Sequence, residues 1–320
     1  MTLLQKRRDF ASQQFIFPEM YGDVDGVADE VQINLALADS SVVRLLPKTY
    51  VIAASIKMND NNSLIGGGQD TIISADLTSD SLIESIDPTS RSYSWLLQDL
   101  EIDNTASSNA SSIGIDLTKA SIVKIRNVVV KKVETGIKLS GTAYYNEIVN
   151  CFIDGAVTGV LFESGANENR MWGGKVNDTT TGIIVDNTSN VQIYGTSIEL
   201  FTTGISIAPS NATTFTKIIG CRLEDDGDAT GIINTADAAG TFVIAPYFQN
   251  LAANITDAEA VAGNASNVIS DWFWQCGALY FCLGNPAVNG SWRFIIDGDD
   301  LDIDRREGGA WVTKDTITAA

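Results

Sequence analysis

The side chains in this sequence that could do chemistry are carboxylates, because the chain contains no histidine. Without imidazole, acid–base catalysis and metal binding depend on other groups. Two carboxyl groups can cleave a glycosidic bond, at about 5–5.5 Å from each other in retaining enzymes and about 6.5–9.5 Å in inverting ones. We select four candidates for this role, Glu199, Glu224, Asp154 and Asp225. They are either catalytic groups of a polysaccharide hydrolase or lyase, or part of a solvated acidic surface.

Two arginines and two aromatic residues could bind a sugar in the same stretch of the chain. Arg170 and Arg222 could orient a uronate or a sulfated sugar through bidentate hydrogen bonds. Trp172 and Tyr194 could stack on sugar rings, or they could be ordinary surface or core aromatics. The sequence therefore offers a candidate glycan site, and it leaves open whether a glycan is cleaved or only bound.

An internal repeat determines how these residues are positioned. A glycine followed by Ile or Val recurs at intervals of 22, 23, 23, 22 and 27 residues. These glycines are Gly114, Gly136, Gly159, Gly182, Gly204 and Gly231. A second strand pattern keeps the same period, with a turn-type residue two positions after its first apolar residue. This second column is Asp99, Asn127, Asn150, Gly173, Gly195, Gly220 and Ala245.

Short strands that flank a sharp bend and recur at this period are typical of a β-solenoid. Asp, Asn and Gly suit the bend because they tolerate a left-handed backbone. The sequence therefore predicts an all-β fold, a single-stranded right-handed parallel β-helix. In this register Glu199 and Glu224 lie in one outward column on adjacent coils, with Asp154 two coils from Glu199. Cys151 and Cys221 lie three coils apart, about 14 Å, too far for a disulfide, so we predict buried free thiols.

The ends of a solenoid need covers, because open edge strands pair with other chains. We predict a capping helix over Val27–Ala38, then strands over Ser41–Leu46, Thr49–Ile52 and Thr71–Ile73. Residues 21–30 read Tyr-Gly-Asp-Val-Asp-Gly-Val-Ala-Asp-Glu, residues 46–52 Leu-Pro-Lys-Thr-Tyr-Val-Ile, and residues 66–73 Gly-Gly-Gly-Gln-Asp-Thr-Ile-Ile. This opening resembles that of pectate-lyase-like β-helix proteins. The family includes polysaccharide lyases, hydrolases, epimerases and phage tailspikes, so the resemblance is specific for the fold and not for one activity.

The C-terminal part has a different pattern, with three short strands separated by Asp297-Gly298-Asp299 and Glu307-Gly308-Gly309. This pattern predicts a β-meander, which resembles the small modules that close viral fibre and spike trimers. Its aromatic residues would fill a subunit interface, or cap the last coil of a monomer. The aspartates over Asp297–Asp304 would be neutralised by Ca²⁺ or by neighbouring arginines, and their spacing does not match the 12-residue calcium loop. We therefore expect no metal and no cofactor, while Cys276 and Cys282 could pair or stay reduced.

The expected organisation is an N-terminal arm over 1–20, a capping helix and first coils over 21–75, a β-helix over 76–270 and a C-terminal module over 271–320. We predict a virion tailspike or tail-fibre subunit, a homotrimer that recognises host surface polysaccharides. The arm would join it to other virion tail proteins. A polysaccharide hydrolase or lyase is the alternative, but coils without large inserted loops leave only a shallow groove.

Charge and hydropathy exclude two classes of partner. A net charge of −19 disfavours binding to nucleic acid. We expect no membrane contact, because no apolar run is long enough to span a bilayer. We also find no signal peptide pattern, so we expect synthesis in the host cytoplasm and a location in the virion tail.

Overall fold

The computed structural model describes residues 15–87, 89–106, 111–208, 210–211, 213–235, 238–257, 279–283, 290, 292–297 and 300–317. Their main body is a right-handed parallel β-helix of about nine turns. Three parallel sheets run along it, and a chain turn passes through sheet 1, sheet 2 and sheet 3 in that order. We call the connection from sheet 1 to sheet 2 the first bend, and that from sheet 2 to sheet 3 the second bend. The all-β solenoid predicted from the repeat is confirmed.

Several strands continue from one sheet into the next. Sheet 1 contains Val42–Arg44, Ser63–Ile65, the first parts of Leu96–Asn104 and Lys124–Lys131, Glu147–Val149, Arg170–Trp172, Gln192–Tyr194, Lys217–Ile219 and Phe242–Ile244. Sheet 2 contains Thr49–Ile52, Ile72–Ala75, the second parts of Leu96–Asn104 and Lys124–Lys131, Phe152–Asp154, the first parts of Lys175–Val185 and Ser197–Ile207, Arg222–Glu224 and Tyr247–Gln249. Sheet 3 contains Ile56–Met58, Ser81–Ser85, Ile113–Asp116, Thr135–Leu139, Thr158–Phe162, the second parts of Lys175–Val185 and Ser197–Ile207, Thr230–Asn234 and Ala253–Asp257. Two short pairs complete the solenoid, Ser92–Tyr93 with Ala120–Ser121 and Thr213–Thr214 with Ala238–Ala239.

The first bend is made by the predicted column of turn residues. All seven residues from Asp99 to Ala245 in that column have φ between 49° and 64°, the left-handed region that Gly and Asn adopt at least cost. Asparagines also link the coils, because Asn150 Nδ2 donates to Asn127 Oδ1 at 3.0 Å and Asn127 Nδ2 donates to Asp99 Oδ1 at 2.9 Å. The bend thus fixes the angle between sheets 1 and 2 on successive coils.

The repeating glycines of sheet 3 serve packing rather than backbone freedom. A Cβ atom on Gly182 would lie 2.6 Å from the carbonyl oxygen of Gly204 and 2.6 Å from Cγ2 of Ile198. Real Cβ atoms essentially never approach other atoms below 3.0 Å. Glycine is therefore required where sheet 3 passes closest to the side chains of sheet 2.

The interior between the sheets is apolar, and one of its buried polar side chains forms hydrogen bonds to the backbone of neighbouring coils. Asn146 is buried, and its Nδ2 donates to Ala120 O at 2.9 Å while its Oδ1 accepts from Val123 N at 2.8 Å. Cys151 and Cys221 are buried and free, as predicted. Burial raises the pKa of each thiol to about 11. Both thiols therefore act as small apolar side chains.

The N-terminal cap differs from the prediction in its start. The α-helix spans Glu30–Asp39, after a 3₁₀ turn at Pro18–Met20, so the predicted start at Val27 is wrong. The buried Asp29 side chain accepts the backbone N–H of Gly26 at 3.1 Å and that of Val51 at 2.8 Å. These bonds hold residues 26–29 as a loop against sheet 2, and the helix begins only after them.

The C-terminal β-meander is confirmed and contains one strand more than predicted. The antiparallel sheet consists of Leu279–Leu283, Trp292–Asp297, Asp300–Glu307 and Ala310–Ile317. Residues 1–14, the aromatic run 272–274, Cys276, residues 298–299 and the side chains of Cys282, Asp297 and Asp300 lie outside the described part of the structure. The predictions on the arm, on a pairing of Cys276 with Cys282 and on Ca²⁺ at Asp297–Asp304 therefore stay predictions. No helix among the described residues is long and apolar enough to cross a membrane.

Candidate functional site

The outward column of sheet 2 has the register that the sequence predicts. Asp154 pairs with Asn177, Asn177 with Glu199, and Glu199 with Glu224 on successive coils. Glu199 and Glu224 are thus neighbours about 4.8 Å apart at the backbone, and Asp154 lies two coils from Glu199. Asn177 Nδ2 donates to Asp154 Oδ1 at 2.7 Å. The column forms one line of polar groups along the solenoid.

Cations neutralise the two glutamates of this column. Lys175 Nζ lies 2.7 Å from Glu199 Oε2, and Arg222 Nη1 lies 2.5 Å from Glu199 Oε1. The other nitrogen of Arg222, Nη2, pairs with Glu224. The hydrogen bond from Lys175, with help from Ser197 and Arg222, outweighs burial and holds the pKa of Glu199 below its ordinary value of 4.5. Glu199 is therefore an anion at neutral pH, suited to act as a base or nucleophile but not as an acid.

The predicted aromatic residues meet on the outer face of sheet 1. Trp172 and Tyr194 pair in register on adjacent strands, and their rings stack with centroids 4.1 Å apart and an angle of 14° between planes. The Trp172 side chain is 41% exposed. The Tyr194 hydroxyl donates to Oε1 of Gln192, on the same strand, at 2.7 Å, which fixes the position of the Tyr194 ring. We call this stacked pair the aromatic platform.

Positive charge surrounds the aromatic platform although the chain as a whole is acidic. Five charged side chains stand on the sheet 1 strands from Lys124 to Ile219, and they are Lys124, Arg126, Glu147, Arg170 and Lys217. Four of the five are cations, against a net charge of −19 for the chain. Arg170 precedes Trp172 on the same strand by two residues, so both project from the same face, and its Nε has no hydrogen-bond partner. Arg222, the other predicted arginine, instead lies on sheet 2 between the two glutamates.

A groove of about 530 Å³ follows the second bend over four successive coils. It is lined by residues 155–157, 178–180, 200–202 and 225–226. Among the described residues, Asp178, Asp225 and Asp226 are the charged members of this lining. Two residues of this lining are more than nine-tenths buried and have an oxygen without a hydrogen-bond partner, Thr179 at Oγ1 and Asp225 at Oδ2.

Of the four predicted carboxylates, only Asp225 lines this groove, since Asp154, Glu199 and Glu224 stand on the neighbouring face of sheet 2. Two acids of this region were not predicted from the sequence: Asp178, which lines the groove, and Asp228, whose carboxylate lies near those of Asp225 and Asp226. The longer bend that carries Asp228 could have been recognised, because the last interval of the glycine repeat is 27 residues instead of 22 or 23. Two of the extra residues lengthen the second bend between Glu224 and Thr230.

Comparisons with known proteins agree on the fold. A family described as "Periplasmic copper-binding protein (NosD)" matches residues 51–173. The tailspike protein double mutant of E. coli bacteriophage HK620 is 10% identical with a TM-score of 0.54, over 72% of this chain and 56% of that one. The enzymatically active domain of tailspike protein 2 from bacteriophage CBA120 is 10% identical with a TM-score of 0.52, over 93% and 69%. The N-terminal fragment of gene product 12 from bacteriophage phi29 is 14% identical with a TM-score of 0.50, over 78% and 59%.

No curated protein sequence matches the chain. The copper that the family description names requires imidazole, thiolate or thioether ligands in most protein sites. The chain has no histidine, and Cys151 and Cys221 are buried on separate coils. The described methionines Met20, Met58 and Met171 stand on three separate elements, so the described residues do not fit a copper site. What the comparisons establish is a right-handed parallel β-helix of the kind found in phage tailspikes and pectate-lyase-like proteins.

Proposed function

We propose that the chain is a tailspike subunit that binds acidic polysaccharides of a host surface. The observation that carries this proposal is the aromatic platform of Trp172 and Tyr194 beside Arg170. Tyr194 covers one face of the Trp172 ring and holds that ring in place, while Trp172 stays 41% exposed. A sugar ring has an apolar face that can pack on the uncovered part of the Trp172 ring. The Tyr194 hydroxyl donates to Gln192 Oε1, and its oxygen can still accept a hydrogen bond from a sugar hydroxyl.

Charge selects the class of glycan. The cations around the platform attract carboxylate or sulfate groups, and a guanidinium binds these anions in a bidentate manner. The rest of the chain repels the same groups, because its net charge is −19. An acidic polymer would therefore be held along sheet 1 and kept away from the acidic groove at the second bend.

The fold similarity to tailspikes supports a viral protein, and the C-terminal sheet supports a trimer. Two of the solved structures similar to this chain are described as tailspikes. A small antiparallel sheet stands at the C-terminus, where Trp292 is 36% exposed with the Arg305 guanidinium 5.6 Å from its ring. A single-layered sheet must bury its apolar face against another element, and three copies would cover one another's apolar faces. We assign attachment to other virion tail proteins to the N-terminal arm, residues 1–20.

Binding to defined polysaccharides tests the glycan proposal. Affinity for alginate and polygalacturonate should exceed that for neutral dextran, and it should fall by at least about tenfold in Trp172→Ala, since stacked aromatics carry much of the energy of such contacts. The matched control is Tyr145→Ala, because Tyr145 is 60% exposed and lies in the connection before the strand Glu147–Val149, outside the aromatic platform. Equal binding to dextran, or equal losses in both variants, would refute the proposal.

Light scattering tests the trimer, and a monomer at micromolar concentration would refute the proposed trimeric state.

A polysaccharide hydrolase or lyase is the second candidate, and the groove favours it. Asp178 and Asp225 line the same groove from the second bends of two coils that are two steps apart. Two coil spacings separate their backbones by about 9.6 Å. Side chains that lean toward each other would bring the two carboxyl groups into the range of about 6.5–9.5 Å found in inverting enzymes. The sheet 2 acids Asp154, Glu199 and Glu224 stand beside the groove, where Glu199 would act as the base.

Product analysis decides between binding and cleavage. If the chain is a hydrolase or lyase that uses sheet 2 acids, it should shorten one polysaccharide of the panel, and Glu199→Gln and Glu224→Gln should abolish the activity. Asp225→Asn and Asp154→Asn complete the set. Full activity in all four variants would exclude these acids from catalysis, and no shortening of any polysaccharide would favour a passive binding protein.

A further inference from the structure

The second bend between Glu224 and Thr230 concentrates negative charge at one end of the groove. Asp225, Asp226 and Asp228 each place a carboxylate oxygen within 4.8 Å of the other two. None of the described residues that line the groove beside them is a cation. Like charges at this distance destabilise one another unless a proton or a cation compensates them.

One carboxylate oxygen of Asp225 has a hydrogen-bond partner and the other has none. Its Oδ1 accepts the backbone N–H of Phe201 at 3.1 Å. Its Oδ2 is buried and has no hydrogen-bond partner, in a side chain that is 7% exposed. A buried, unpaired carboxylate oxygen is costly. We propose that Asp225, Asp226 and Asp228 bind a divalent cation, and that Ca²⁺ is the preferred ion.

The donor set and the shape of the bend favour Ca²⁺ over other divalent ions. All three donors are carboxylates, which are hard ligands, and no imidazole exists in the chain. Asp226 and Asp228 are exposed, so water can fill the remaining positions. Ca²⁺ accepts six to eight oxygens in irregular arrangements, whereas Mg²⁺ demands a near-octahedral set. Weak calcium sites of extracellular modules have dissociation constants of about 0.1–1 mM, and we expect the same range here.

Calorimetric titration of the full chain with CaCl₂ at constant ionic strength tests the site. We expect one Ca²⁺ per chain, and a loss of affinity of at least about tenfold in Asp226→Asn and in Asp228→Asn. Both residues are exposed, so these variants should keep the fold. Asp225→Asn should lose as much, and its amide oxygen can still accept the Phe201 N–H.

The matched control is Asp178→Asn, which removes one charge from the same groove outside the cluster. Its affinity for Ca²⁺ should stay within about twofold of the parent chain. No saturable binding up to about 10 mM Ca²⁺ would overturn the proposal, and so would an equal loss in the control, which would indicate diffuse screening. Tighter binding of Mg²⁺ would overturn the choice of ion. The site shares no residue with the aromatic platform, so the two proposals fail independently.

Discussion

Replacing Gly182 by alanine tests whether the glycine column sets the packing of the coils. The new Cβ would lie 2.6 Å from Gly204 O and from Ile198 Cγ2, where ordinary contacts are 3.4–4 Å. The shortfall is therefore about 0.8 Å toward a backbone atom of the next coil. That atom cannot retreat freely, because ladder hydrogen bonds hold successive coils about 4.8 Å apart.

The expected loss follows from two opposing terms. Overpacking of this kind costs about 1–3 kcal/mol. Alanine also restricts the unfolded chain, which returns about 0.4–1 kcal/mol. The central values of the two terms, about 2 and about 0.7 kcal/mol, leave a net loss of about 1.3 kcal/mol. At about 2–4 °C per kcal/mol, the midpoint of thermal unfolding should fall by about 3–5 °C.

Far-UV circular dichroism at a fixed heating rate measures this shift. The matched control is Gly220→Asn, because Gly220 has a φ of 64° and no atom within 4 Å of a Cβ. Asparagine already occupies the same bend position at Asn127 and Asn150, so the control should melt with the parent chain. If Gly182→Ala also melts with the parent chain, close packing does not explain the glycine column.

Three further outcomes follow from the interior and from sheet 2. Asn146→Leu leaves the Val123 N–H and the Ala120 carbonyl unpaired in the core, so the free energy of unfolding in urea should fall by about 2–4 kcal/mol. An unchanged urea midpoint would contradict a stabilising role of the Asn146 hydrogen bonds. Cys151 and Cys221, with pKa values raised to about 11 by burial, should resist alkylation by iodoacetamide at neutral pH until the chain is unfolded, and rapid labelling of the native protein would contradict their burial. Because the folded pKa of Glu199 is lowered, its contribution to stability is present above its ordinary pKa and is lost as pH falls through the lowered value. Glu199→Gln lacks this contribution, so its stability should depend less on pH in the acidic range, and an identical pH profile would show that the ion pairs do not stabilise the fold.

The fold could be predicted from the sequence where one physical constraint determines which residue types occupy a column. The left-handed bend at Asn127 and Asn150 admits few residue types, so its period could be recognised without a structure. The first coils were harder, since their first bends, residues 45–48 and 66–71, are longer than those that follow. The helix start was missed because the bonds of Asp29 to Gly26 and Val51 join segments that are distant in sequence.

The strand positions of the candidate site residues were predictable from the sequence, but their ion pairs and the groove were not. Strand periodicity places Glu199 beside Glu224, and it places Trp172 beside Tyr194. It does not show that Arg222 pairs with both glutamates, because that depends on the rotamers of long side chains. The groove was invisible for a related reason: its lining comes from bends on four coils, and bends carry no period of apolar residues.

The glycine column has a consequence for how the length of the molecule can change. Gly136, Gly159 and Gly182 are separated by 23 residues each, so removing residues 159–181 would join Thr158 to Gly182 and restore the Thr-Gly step of the repeat. Such a deletion would shorten the solenoid by one coil and leave every other column in register. The distance from a surface group to either end is therefore quantised in steps of about 4.8 Å. Whole-repeat gain or loss could tune the reach of the binding face without redesigning it.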